Sequence, residues 1–228
     1  MLMRKQRPPA LSGAAILAAS GMWIWIFPPH PQLRAGILEM TAIDVGLGDS
    51  LFLALSDGKT LMVDAGGLPF WTHSQMDIGE DVVSPYLWSC GISHIDAIAL
   101  THARADHMGG MPAVISNFRP RELWLPEGIP DDEIRGLLRQ AHQLGVKVMY
   151  RKAGDVFEFG GASFRVLAPA PDSEFRTQMH EAKAEVKRRN DESLVMKVSL
   201  GKTSAYSRLM RKDPLKSSWP TNIPPPTF

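Results

Sequence analysis

The 228-residue sequence contains one cysteine, Cys90. A single thiol excludes an internal disulfide and leaves no CxxC pair for zinc or redox work, so Cys90 is expected to be a small packed residue. An excess of charge of one sign is also missing, since 25 Lys and Arg face 24 Asp and Glu. No overall field therefore marks the chain as a nucleic-acid binder or a membrane-surface coat, and any partner must be recognised locally. No internal repeat is visible. The length suits one domain with a substantial core plus accessory segments and is tight for two.

One stretch lacks charge altogether. After the basic flank of residues 1–7, the run PPALSGAAILAASGMWIWIF occupies residues 8–27. Such a run, at about 1.5 Å per residue, matches the roughly 30 Å hydrocarbon core of a bilayer. Trp23 and Trp25 sit near its far end, where indole rings favour the interface, and PPHP then stops the helix. The run predicts a transmembrane helix with its positive flank inside, a linker over residues 28–36, and everything beyond on the outer face. A cleaved signal peptide is the competing reading. Trp, Ile and Phe stand where small cleavage-site residues would be expected, which favours the anchor.

Beyond residue 37, strands come first in pairs and then alternate with helices. ILEMTAIDVG and SLFLALSDGKTLMVDAGG read as strands, the latter a pair turned at Ser56, Asp57 and Gly58. DIGEDVVSPYLWSCG reads as a helix, HIDAIALTH as a strand and GGMPAVISNF as a helix. ELWLP follows as a strand. Asp131 and Asp132 open the helix DDEIRGLLRQAHQLG with charges suited to its positive end, and Gly145 closes it. VKVMYRK is a strand, DVFEFGGASFRVLAP a hairpin, and SLVMKVSL a strand from Ser193. In the connector HEAKAEVKRRN, Glu181 and Glu185 interleave with Lys183, Lys187, Arg188 and Arg189 at helical spacing, which reads as a solvated helix face. The pattern predicts an α/β fold of sheets covered by helices.

The loop THARADHMGG, residues 101–110, carries the chemistry. His102, Asp106 and His107 offer two imidazoles and one carboxylate from the end of a strand, a donor set that suits a divalent metal such as zinc or manganese. Gly109 and Gly110 allow a tight backbone turn behind His107. An isolated HxxxDH is weak evidence, and its weight depends on the blocks around it.

Those blocks resemble, in order, the end of ComEC-type DNA-internalisation competence proteins: the last membrane helix and the metallo-β-lactamase-like domain. The resemblance covers nearly all of residues 1–204. AIDVGLGDSLFL resembles the opening strand and glycine turn, LMVDAGG the next strand, and DIGEDVVSPYLWSCGISHIDAIALTHARADHMGG the central block. ELWLP matches the strand after it, and NDESLVMKVSL the start of the second half. The resemblance implies an αββα sandwich with one or two metals at one sheet edge, where bound water would attack phosphorus or a carbonyl. By that pattern Asp106 and His107 serve the second metal and His102 the first, with Asp106 also the candidate catalytic residue. Asp64 would brace the ligand loop. Asp44, Asp49, Asn190 and Asp191 would lie near the mouth, against a plainer reading as turn and strand-end residues. The wider superfamily reads HxHxDH, so Arg104 stands where the middle histidine would be and removes one ligand. It could face phosphate, pair with Asp106 or point to solvent. Leu47 stands where the family usually has Gln.

After residue 204 the expected Thr-Gly-Asp-like turn and His-His-Gly-Ser-like segment do not follow. Read one base out of frame from Ala205, the codons permit Leu-Leu-Thr-Ala-Asp-Ala-Glu. The domain, residues 37–204, is therefore expected to be incomplete in its second half, with residues 205–228 an out-of-frame tail. The resemblance implies a bacterial inner-membrane protein that handles single- or double-stranded DNA during uptake, alongside other competence proteins. Its metal-dependent phosphodiesterase or nuclease chemistry would be impaired and its metal weakly bound. The alternatives are an anchored metallohydrolase of a small ester or lactam, and a non-catalytic DNA-binding module.

Overall fold

The computed structural model describes residues 9–26, 31, 33–69, 71–72, 74–129, 131–169 and 193–207. Helix α1, Pro9–Ile26, is followed by strands β1 (Glu39–Ala42), β2 (Leu51–Ala54) and β3 (Thr60–Val63). A π-helical segment, Gly79–Val83, runs into α2 (Ser84–Ser89), and β4 (Ala97–Ala99) comes next. Then follow α3 (Ala105–Met108), α4 (Met111–Phe118), β5 (Glu122–Pro126), α5 (Asp131–Gln143) and β6 (Lys147–Arg151). The last strands are β7 (Val156–Phe159), β8 (Ala162–Ala168), β9 (Val195–Leu200) and β10 (Thr203–Ser207).

β1 to β6 form a six-stranded sheet in sequence order. The first pairings, β1 with β2 and β2 with β3, are antiparallel, and β3 through β6 are parallel. Parallel strands need crossovers, and the helices between them supply these. β7 to β10 form a second, antiparallel sheet in the order β10, β9, β8, β7.

The central strands are apolar on both faces because both are covered. Side chains alternate across a strand. Met62, Ile98, Leu123 and Leu125 pack toward the helices, in a core with Val83, Leu87, Val114 and Phe118. Leu61, Val63, Ala97, Ala99 and Trp124 pack toward the second sheet, against Phe164, Val166, Met196 and Val198. Trp124 is fully buried, meets Phe157, Phe159 and Phe164 edge-on, and donates its indole N–H to Glu122 at 2.7 Å. Two sheets face to face with helices outside the first give three layers of the expected sandwich. A helix layer over the second sheet is not among the described elements, and Val156, Leu167 and Tyr206 are exposed there.

Four expectations need adjustment. Among the described residues no helix is long and apolar enough to cross a membrane. α1 has 18 residues, about 27 Å at the standard rise, and Pro8 and Phe27 of the expected span lie outside the described residues. Cys90 is exposed, not packed, because it caps α2 at the turn into Gly91. The histidine loop contains a helical turn of its own, α3. The strand pattern also persists beyond residue 204: β10 pairs Tyr206 with Lys197 and Ser207 with Met196. The connector with Lys183 and Arg188, and residues 208–228, lie outside the described residues.

Candidate metal centre

The ligand loop leaves the sheet at the end of β4 and is fastened on three sides. On one side lies the AGG turn after β3. Ala65 N–H donates to the His107 carbonyl at 3.0 Å, Gly66 N–H to the Asp49 carbonyl at 2.9 Å, and Gly110 N–H to the Gly66 carbonyl at 3.0 Å. On the second side, Leu100 N–H donates to the Trp124 carbonyl at 2.9 Å. On the third, Leu194 N–H donates to the Thr101 carbonyl at 2.8 Å, tying the start of β9 to the loop.

Asp64 lies at the centre. It follows β3 directly, is 1% exposed, and holds a left-handed backbone with φ of 55°. That conformation is costly for a non-glycine residue and persists where the surroundings over-determine it. Here they do: its carboxylate accepts the Thr101 N–H at 2.8 Å, the Thr101 hydroxyl at 2.5 Å and His107 Nδ1 at 2.9 Å. Burial pushes the Asp64 carboxyl above its ordinary range, and His107 and Thr101 pull it back.

These bonds assign both imidazole tautomers. The Thr101 hydroxyl has one proton, which goes to Asp64. His102 Nδ1, 3.0 Å from the same hydroxyl oxygen, must then be the donor. His107 Nδ1 likewise donates to Asp64. Each ring therefore keeps a bare Nε2, the form that ligates a metal. The ring centroids lie 4.2 Å apart. His102 is held neutral, with its pKa lowered to about 3 by burial first, and then by His107 and the charge of Arg104.

Asp106 sits on α3, 3.7 Å by Oδ2 from His107 Nε2. Arg104 takes the ion-pair option: Nη2 lies 3.2 Å from the same Oδ2. Asp49 is half-exposed, its Oδ2 4.0 Å from His107 Nδ1. Asp44 is not brought in; its carboxylate accepts the N–H of Gly46 at 3.0 Å, which is turn chemistry. Leu47 is exposed. Asn190 and Asp191 lie outside the described residues.

The role of the glycines differs from the expectation. Gly109 and Gly110 have ordinary helical φ values of −57° and −85°. What they supply is close approach: a Cβ on Gly110 would stand 2.3 Å from the Ala65 carbonyl oxygen and 2.7 Å from the Gly79 nitrogen. A Cβ added at Gly48 would likewise collide with the loop, overlapping the Asp106 carbonyl oxygen. Sequence reading missed Gly48, Gly79 and Thr101 as parts of the site; the signal for Thr101 was its place at the strand end, immediately before His102.

The donor chemistry suits a divalent ion, but the arrangement does not fit one held by three protein ligands. Among the described residues no group of three or more His, Cys, Asp or Glu side chains is disposed to hold a metal, and the third candidate, Asp106, already carries a guanidinium.

The chain is similar to ComE operon protein 3 of Bacillus subtilis (strain 168), 35% identical over 146 residues. The match takes in 59% of this chain and 19% of that protein, so the chain spans about a fifth of that relative's length. Among solved structures it is similar to a HARLDQ-motif mutant of a metallo-β-lactamase from Cronobacter sakazakii, with TM-score 0.46, 17% identity, and 76% of this chain and 60% of that one covered. It is also similar to Zn(2+)-bound PqqB from Methylobacterium extorquens, with TM-score 0.46, 15% identity, and 69% and 51% covered. The description "Metallo-beta-lactamase superfamily" matches residues 43–178. With that match running from the glycine turn through the Asp64-braced loop and over more than half of its length, the chain belongs to the metallo-β-lactamase superfamily.

Proposed function

We propose that the chain is the DNA-handling domain of a competence-type uptake protein, and that its histidine loop is a partial metal site with weak phosphodiesterase capacity. The observation that carries this reading is the 35% identity to ComE operon protein 3, joined to a loop whose two histidines are braced by Asp64 and Thr101 with Nε2 free.

The chain's own residues do most of what can be derived. Asp64 fixes the His107 ring, Thr101 fixes His102, and neither imidazole spends its Nε2 on a protein partner in doing so. A zinc or manganese ion, if bound, would supply Lewis-acid polarisation and a water of lowered pKa. His102 and His107 are the residues that would meet it through Nε2, while Asp106 is paired with Arg104. With Asp106 engaged by Arg104, such an ion would be weakly held and any turnover slow.

In this reading α1 is a membrane anchor in the bacterial inner membrane, with the domain on the outer face beside other competence proteins. Support comes from its apolar side chains: Ile16, Leu17, Met22, Trp23 and Ile26 are all more than half exposed. Those exposed apolar side chains suit a nonpolar environment. The basic residues Arg4, Lys5 and Arg7 precede it.

Binding and cleavage of labelled single- and double-stranded oligonucleotides, with zinc or manganese added, test the reading. DNA binding with slow hydrolysis that is lost in His107→Ala is the expected result. Failure to bind either form of DNA, or a tightly bound metal with rapid cleavage, would overturn it. Carbonate extraction of membranes from cells expressing the chain, with and without residues 1–27, tests the anchor.

A further inference from the structure

The outer face of the second sheet carries a row of cations that the histidine loop does not use. Side chains alternate across each strand, and Phe157, Phe164, Val198 and Ala205 pack into the core between the sheets. Their neighbours Val156, Arg165, Lys197 and Tyr206 therefore stand on the opposite face. Strand register sets these four side by side: Val156 opposite Arg165, Arg165 opposite Lys197, and Lys197 opposite Tyr206. Like charges directly opposite one another destabilise a sheet. Arg165 and Lys197 hold that position all the same, and among the described residues neither has an ion pair. Tyr206 is 43% exposed, its ring centroid 5.6 Å from Lys197 Nζ. The next row is Glu158, Ser163, Ser199 and Ser204, which adds three hydroxyls and keeps the acid on the edge strand β7.

We propose that this face binds single-stranded DNA, with Arg165 and Lys197 on its phosphates and Tyr206 stacked on a base. The choice of nucleic acid rests on the DNA-handling reading; the place and the strandedness come from the row itself. Two adjacent cations that repel each other are relieved by a shared anion, and a phosphate backbone offers a line of them. The serine hydroxyls can donate to the same oxygens. An exposed tyrosine beside paired cations matches a base face next to its phosphate, and stacking of this kind tolerates any sequence. A duplex keeps its base faces covered and gives Tyr206 nothing to stack on, so the row favours the single strand.

Fluorescence anisotropy of labelled oligothymidylate, and of a duplex of equal length, with the full 228-residue chain in mild detergent tests this without a metal or an activity assay. The single strand should bind more tightly than the duplex. Tyr206→Ala should weaken it about tenfold and Tyr206→Phe should not. Arg165→Gln and Lys197→Gln should each lower the slope of log affinity against log salt by about 0.7, with no loss of thermal stability, since each relieves a repulsion. Single-strand binding unchanged in all these variants, or duplex bound as tightly, would overturn the inference and leave the DNA-handling reading standing. A dimer in sedimentation that Arg165→Glu dissociates would assign the face to a second copy and overturn it. Slow maleimide labelling of Arg165→Cys in a Cys90→Ser background, without DNA, would show the face covered by the chain itself and overturn it too. Failure to bind either form of DNA would overturn both readings.

Discussion

The Thr101 hydroxyl donates to Asp64 Oδ2 at 2.5 Å, and this one bond decides how both histidines of the loop present themselves. It consumes the hydroxyl proton, forces His102 to donate from Nδ1, and shares with His107 the oxygen that fixes the second ring. The bond is local chemistry between residues 37 apart in the chain, brought together by the parallel pairing of β3 with β4.

Replacing Thr101 with Val keeps its shape and removes the hub. Asp64 loses a donor in a fully buried setting, so the variant should be destabilised by about 1–3 kcal/mol, read by urea denaturation. Thr101→Ser should recover most of the loss. Nitrogen-15 spectra of the imidazoles should show His102 no longer held in one tautomer in Thr101→Val. An unchanged His102 signal would refute the tautomer assignment.

Asp64→Asn is nearly isosteric but brings an amide where the carboxylate accepts three donors. The amide nitrogen then faces either the Thr101 backbone N–H or both the Thr101 hydroxyl and the His107 N–H, and the expected cost is about 2–3 kcal/mol. The denaturation midpoint should fall and the His107 ring should lose its fixed orientation. Stability equal to the parent would show that the carboxylate is not the brace.

Two glycine substitutions should move stability in opposite directions. Gly110→Ala pushes a methyl against backbone at Ala65 and Gly79, and neither can swing aside, so a loss of about 1–3 kcal/mol is expected. Gly136, exposed in the middle of α5, has nothing within 4 Å of an added Cβ. Gly136→Ala should gain about 0.5–1 kcal/mol. Thermal melts of the two variants side by side check both signs.

His102 predicts an acid dependence. Its pKa in the folded chain is about 3, against 6.5 for the unfolded group. Between those values the unfolded chain takes up a proton that the folded chain refuses, so this contribution is complete above pH 6.5 and is lost as pH falls toward 3. Denaturation in the presence of chelator, from pH 7 to pH 4, should therefore show a decline that is shallower in His102→Gln. Parallel curves for the two chains would remove His102 as the cause.

Much of this architecture was readable from residue patterns. HIDAIALTH was read as a strand, and β4 lies in it, buried on both faces with Ile98 toward the helices and Ala97 and Ala99 toward the second sheet. Gly145 was read as a helix stop, and it has φ of 70° after α5. The helical turn α3 was not legible, because its four residues include two polar side chains, Asp106 and His107, and carry no apolar period. Cys90 was misread for a similar reason: its exposure follows from its place at a helix end, not from its residue type.

What the sequence determined by itself was the donor chemistry on offer: two imidazoles and a carboxylate on one loop at a strand end, with an arginine between them. Residue type and short spacing are enough for that, since they limit which atoms a loop can offer. Which way those atoms face was decided by tertiary structure alone. Asp64, Thr101, Gly48 and Gly110 act through contacts made by distant segments packed against one another. The choice of Arg104 between phosphate, solvent and Asp106 depended on a distance that no local pattern encodes.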